Sequence, residues 1–286
     1  MTLLVARSVL ALCGAFALAG CEAMNTKGNP TLEGDVNVID ATELNDIMLT
    51  AADPNEAVIY FREALRKNPK RIDFERGLAQ SLVRARRYDE AAPIYKKLVA
   101  RDKSTPTDRI EYADALMRAG NLEGAKKELN QVPPTVETYK RYLLEAIIAD
   151  NNKQWKKSDS FYETARGLTT NPAPVMNNWG MSKLARGDHD LAEEYFLEAI
   201  SIDPDMFSAK NNLVRSRGTR GVYELPIMRM TETEEAQLLH NLGIIATNNG
   251  DYDIARGLFE LAVDTHPRHF KEAANNLAAL DKVVVN

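Results

Sequence analysis

Small and apolar residues recur through most of the chain in four columns that share one rhythm. Ala79, Ala113, Ala146, Gly180 and Gly243 stand 34, 33, 34 and 63 residues apart. Ala57, Ala91, Ala125, Ser158, Ala192 and Ala255 step by 34, 34, 33, 34 and 63. Phe61, Tyr95, Leu129, Tyr162, Phe196 and Phe259 keep the same time, as do Ala64, Leu98, Val132, Ala165, Ala199 and Ala262. Inside a unit the spacing is helical: Ala255, Leu258, Phe259, Ala262 and Val263 make one stripe at intervals of three and four. Asp53-Pro54 with Glu56, Thr105-Pro106 with Asp108, and Thr231 with Glu234 read as helix starts, a capping side chain with an acid three residues on. Pro69, Pro204 and Pro267 close units, because proline cannot continue a helix. The pattern predicts fourteen helices between residues 40 and 283, among them 135–150, 205–217 and 268–283. No strand alternation lasts long enough to suggest a sheet.

These columns resemble the tetratricopeptide repeat (TPR), a helix–turn–helix unit of 34 residues. The best copies run from Asn178-Trp179-Gly180 to Pro204 and from Asn241-Leu242-Gly243 to Pro267, with Gly187-Asp188 and Gly250-Asp251 in their inter-helix turns. The resemblance implies an all-α, right-handed superhelical solenoid of antiparallel helix pairs over 40–286, its first and last helices acting as caps. Small residues would let the helices of a unit approach closely, and the aromatic column would fill the groove to the next unit. The resemblance also implies that Asn178, Asn212 and Asn241, with Asn276 close to the same position in the last helix, face a concave groove. There a side-chain amide can donate to and accept from an extended peptide backbone. Arg215, three residues beyond Asn212, would add charge for a ligand carboxylate. The same asparagines can instead bond only within the array.

The N-terminus has a different character. Met1 to Arg7 carries one positive charge and Ser8 to Leu18 is apolar or small, the length of a signal-peptide core and too short to span a bilayer. Leu18-Ala19-Gly20-Cys21 resembles the lipobox of bacterial lipoproteins, which implies a signal peptide at 1–20 and a lipid on Cys21. Multiple acyl chains would hold the protein at a membrane permanently. Glu22 after the cysteine implies sorting to the outer membrane in that class. Residues 21–39 are polar, contain Gly28, Pro30 and Gly34, and read as a lipidated tether that spans up to about 60 Å when extended.

One unit departs from the rhythm. Gly180 to Gly243 is five residues short of two repeats, and Gly218, Gly221 and Pro226 stand where a second helix is expected. Residues 218–231 therefore read as an irregular strap around Tyr223-Glu224-Leu225-Pro226-Ile227-Met228-Arg229-Met230. Two placements are open, a connector plugging a gap between repeats or a segment lying along the groove. The run from Tyr223 through Gly243, with His266-Pro267-Arg268-His269-Phe270, the lipobox and the order of the array, is similar to TPR lipoproteins of the Tad (Flp) pilus assembly system, the TadD-like type. That resemblance implies a periplasm-facing outer-membrane lipoprotein whose protein partners are a secretin or other pilus-assembly components. Two other roles fit the same array: an outer-membrane-protein assembly lipoprotein, or an adaptor that docks a cell-wall hydrolase.

Composition narrows the chemistry. With 36 basic and 41 acidic side chains the net charge is −5, which gives no footprint for nucleic acid. Both cysteines precede Glu22, so a disulfide framework is excluded. No phosphate loop, zinc spacing or nucleophile motif occurs, and no cofactor or enzymatic activity is expected. His189, His240, His266 and His269 read as surface or packing residues, although His266 and His269 are close enough in sequence to share a metal. Glu193-Glu194 reads as a solvated helix face. Arg84-Arg86-Arg87 and Lys153-Lys156-Lys157 read as solvated helix ends, with Arg87 and Lys157 placed to meet anionic partners.

Overall fold

A computed structural model describes residues 38–284, with side chains for 43–280. The expected signal peptide, Cys21 and nearly all of the tether lie outside the described residues. The described chain forms α1 (Val38–Thr50), α2 (Pro54–Lys67), α3 (Ile72–Arg84), α4 (Tyr88–Val99), α5 (Pro106–Arg118), α6 (Leu122–Leu129) and α7 (Tyr139–Asn151). It continues with α8 (Trp155–Gly167), α9 (Ala173–Ala185), α10 (His189–Ile202), α11 (Phe207–Gly218), α12 (Glu232–Asn249), α13 (Tyr252–Thr265) and α14 (Lys271–Val284). The array described below is the compact unit from Ile47 onward.

The columns explain the pairing. Ala57, Ala91, Ala125, Ser158, Ala192 and Ala255 are wholly buried, and every residue from Phe61 to Phe259 in the aromatic column is buried. In two units the aromatic ring lies over its own unit's glycine. A Cβ placed on Gly180 would meet Phe196 Cε1 at 2.6 Å, and one on Gly243 would meet Phe259 Cε1 at 2.6 Å. The predicted helix starts form as expected. Thr105 with Asp108 and Thr231 with Glu234 are complete capping boxes, and Asp53 accepts from the amides of Asn55 and Glu56.

Two helix starts come three or four residues later than the periodicity suggests, and α11 starts at Phe207, two residues late. α7 begins at Tyr139 rather than 135, because Pro133-Pro134 starts a turn and Thr138, not Thr135, caps Arg141. α14 begins at Lys271 rather than 268, because His266 Nδ1 accepts the amide of Arg268 and holds a turn there.

The buried side chains fall into three cores. The first runs from Val58 to Ile148, the second from Ala146 to Leu213, and the third from Val214 to Leu280. α7 divides its residues between the first two. The strap joins the second and third: Tyr223, Leu225, Met228 and Met230 pack on the third core, and Met228 also touches the second. It is pinned where Tyr223 Oη donates to Asp251 and accepts from Asn249 at 2.8 Å. These contacts are those of a connector, with Tyr223, Leu225, Met228 and Met230 packed where a second helix is missing and Ile227 fully exposed. Gly218 closes that unit tightly, since a Cβ there would lie 2.8 Å from Leu242 Cδ2.

Candidate partner-binding groove

Successive first helices of the units are laced together by polar side chains. Arg84 of α3 donates to the carbonyls of Met48 and Ala52, both at 2.8 Å. Arg76 of α3 grips Asp108 of α5 with two bonds of 2.7 and 2.8 Å. Lys140 of α7 reaches Glu111 at 2.6 Å and Asp114 at 3.0 Å on α5. Ser182 of α9 donates to Asp150 of α7 at 2.7 Å. Beyond α9 amides join the lacing, beside the Lys210–Glu234 ion pair of α11 and α12 at 3.1 Å. Asn212 donates to Asn177 at 2.9 Å, Asn241 to Asn211 at 2.7 Å, and Asn276 to His240 at 2.8 Å.

This polar seam holds most of the residues singled out from the sequence. Asn212, Asn241 and Asn276 lie on consecutive rungs, each half-buried and each spending an amide hydrogen on the neighbouring helix. Asn178 stands apart from the ladder and donates to its own helix at Pro174, 2.7 Å away. Arg215 is exposed and its guanidinium has no partner among the described residues. It sits one turn beyond Asn211, as Met181 does beyond Asn177 and Ile244 beyond His240, so these three side chains share one face of successive helices. Past Ile244 a groove of about 330 Å³ opens, lined by Thr247, Asn248, Tyr252, Phe259, Asn276 and Leu280. The surface combines apolar walls with free amide and guanidinium groups, which suits a peptide backbone and its charged ends.

Charge pairing fixes the electrostatics of the seam and of the α8–α9 contact beside it. Burial alone would lower the Lys140 ammonium, yet Glu111 and Asp114 outweigh burial and raise its pKa above the ordinary lysine value. Burial likewise works against the Asp159 carboxylate on α8. Hydrogen bonds from Arg186, Trp179 and Lys183 prevail and hold its pKa at about 2. Burial lowers the His240 imidazole below its ordinary value, with Glu272 and Asn241 opposing. Among the described residues no group of three or more His, Cys, Asp or Glu is placed to hold a metal. No described helix is long and apolar enough to cross a membrane.

Several structural roles escaped the sequence reading. Arg84, read as a solvated helix end, is the clamp on Met48 and Ala52, and Arg87 is paired with Glu90 at 2.6 Å. Lys210, wholly buried, ion-pairs with Glu234 of the α12 capping box at 3.1 Å. A charged residue where other units place an apolar one was the only available signal.

Profiles of the tetratricopeptide repeat match residues 48–107 and 82–148, then 173–206, and then 236–273, together more than half of the sequence. The chain belongs to the tetratricopeptide repeat family. As a TPR array it is a protein-binding scaffold. Its fold is similar to that of a TPR protein from Parabacteroides merdae, with a TM-score of 0.54 at 15% identity over 85% of this chain and 98% of that one. It is also similar to a human IFIT1 dimer with PPP-AAAA, with a TM-score of 0.61 at 14% identity over 81% of this chain and 60% of that one. For the APC/C hetero-tetramer Cut9-Hcn1 the TM-score is 0.57 at 11% identity, over 82% of this chain but 48% of that one, so the TPR array spans about half its length. These likenesses show the fold alone. No curated protein matches the sequence.

Proposed function

We propose that this TPR protein is a noncatalytic, lipid-anchored adaptor of the outer membrane. It faces the periplasm and holds an extended segment of a Tad (Flp) pilus-assembly component, in the first instance the secretin. The observation that carries the binding role is the open face of α11, α12 and α14, where Arg215 and Asn248 are exposed and have no partner among the described residues, beside Ile244 and an apolar groove. The anchor and the pilus role are supported by the Leu18-to-Cys21 lipobox and the Tyr223–Gly243 run. The lipid supplies residence, the tether reach, and the repeats a preformed surface that limits the entropic cost of binding.

Crosslinking in cells of the native host, followed by pull-down, tests this reading. A secretin or another pilus component should be recovered with the wild type and lost or mislocalised with Cys21→Ser. Arg215→Glu should weaken recovery about tenfold or more, as expected for loss of a charge-assisted contact. Recovery of barrel-assembly factors or of a cell-wall hydrolase instead would keep the scaffold and replace the proposed partner.

A further inference from the structure

The second-helix face of the array carries a charge pattern that the fold does not require. Lys126 and Lys127 on α6, Lys153 in the α7–α8 turn, and Lys156 and Lys157 on α8 are all exposed. None has an ion pair among the described residues, and the one aromatic contact is Lys157 Nζ over the Phe161 ring at 5.5 Å. Three adjoining depressions make these lysines one surface. The first and second share Lys126 and Asn130, and the second and third share Gln154 and Lys157. The only carboxylates lining them are Glu123 and Glu145, and Glu145 is engaged by Arg141 at 2.9 Å.

The repeat register shows that this charge is independent of the packing. Lys126-Lys127 follow Ala125 of the buried small column, whereas Glu193-Glu194 follow Ala192 at the equivalent place on α10. The segregation extends along the array. Residues 47–172 contain 23 Lys and Arg against 18 Asp and Glu, and residues 173–286 contain 11 against 17. A chain of negative net charge therefore presents a positive half.

We propose that this lysine surface lays the array against an anionic lipid surface, with phosphate headgroups as the ligand. Lysine ammonium groups on flexible stems suit a diffuse layer of phosphates, whereas recognition of fixed carboxylates favours the planar fork of arginine. The patch also lacks the exposed large apolar side chains that form the centre of a protein interface, since Trp155 and Phe161 are half-buried. Its setting rests on the anchored reading, in which the tether keeps the array within about 60 Å of the bilayer. The acidic half, with the groove beyond Ile244, would then be repelled from the same surface and left open to a partner.

The test uses the processed chain, residues 21–286 with Cys21→Ser, which contains every described helix. Cosedimentation is measured with equimolar phosphatidylglycerol–phosphatidylcholine vesicles and with phosphatidylcholine vesicles. Binding is expected only to the anionic vesicles and should fall steeply with added salt. The variant Lys126→Glu, Lys127→Glu, Lys156→Glu, Lys157→Glu should lose about 100-fold or more in partitioning, from roughly five-fold per lysine near the surface. Arg268→Glu with Lys271→Glu, an exposed pair in the acidic half, should stay close to wild type. Circular dichroism melting establishes that both variants are folded. Absence of binding to anionic vesicles, or an equal loss in the two variants, overturns the proposal. Capture of an acidic peptide with no vesicle binding would also overturn it, by giving the patch to a protein. Mass analysis of Cys21 in cells tests the anchor separately, so a missing lipid there leaves the vesicle result standing.

Discussion

At the scale of single residues, the array depends on side chains that leave no room for their neighbours. Gly243 is packed beneath the ring of Phe259, which is itself buried between α12, α13 and the rest of the third core. Gly243→Ala should therefore destabilise the protein by about 1–3 kcal/mol in denaturant titration, as overpacking does. Adding Phe259→Leu should recover part of that loss. His240 gives a second, pH-dependent case. Its folded pKa lies below the unfolded value near 6.5, so the native state favours the neutral ring, whose Nε2 accepts from Asn276. The unfolded chain then binds more protons at mildly acidic pH. This stability is complete above about pH 6.5 and is lost as the pH falls below it. Denaturation midpoints at pH 7 and pH 5.5 should differ more in the wild type than in His240→Asn.

At the scale of elements, α8 and α9 are joined by a network as well as by apolar contact. Asp159 accepts from Trp179 Nε1 at 2.7 Å, from Lys183 at 3.1 Å and from two Arg186 nitrogens at 2.8 Å. The Arg186 guanidinium also stacks 5.0 Å from the Trp155 ring. Asp159→Asn would leave two largely buried cations short of their counter-charge. It should cost about 2 kcal/mol in chemical denaturation, less than a fully buried pair because Asp159 is one-third exposed. That difference should persist at neutral pH. It should shrink only as the pH falls from near 3.8 toward about 2, where the native carboxylate itself protonates. The strap shows the same principle without charge. Met228 takes part in two cores, so an extended segment does the packing of an absent helix.

At the scale of the whole molecule, repeats contact mainly their neighbours, and properties are distributed along the stack. Three of them separate in sequence: the proposed anchor before residue 38, the lysine surface on α6 and α8, and the groove on α12, α13 and α14. The vesicle experiment belongs to this scale, because it asks whether the positive half and the negative half have different neighbours. A partner segment held at the groove would then meet an array oriented by its charge.

The helix count, unit length, capping boxes and buried columns were legible in the sequence, because each follows from local rules. Helical periodicity sets which face is apolar, a cap needs residues only three positions apart, and proline stops a helix wherever it stands. Asn212, Asn241 and Asn276 were legible as like positions, but their partners were not, and Asn178, read with them, bonds within its own helix. Asn212 bonds to Asn177 and Asn276 to His240 because adjacent helices bring them into register, and between α11 and α12 the close approach is one that Gly218 permits. The late starts of α7 and α14 have a similar cause, since turns around Pro133 and Pro267 compete with the helix for the same backbone groups. Tertiary structure alone decided that Arg84 is a clamp while Lys126 and Lys127 have no ion pair among the described residues. The sequence specifies the charge of each side chain, but only the approach of another chain segment determines whether that charge is already neutralised.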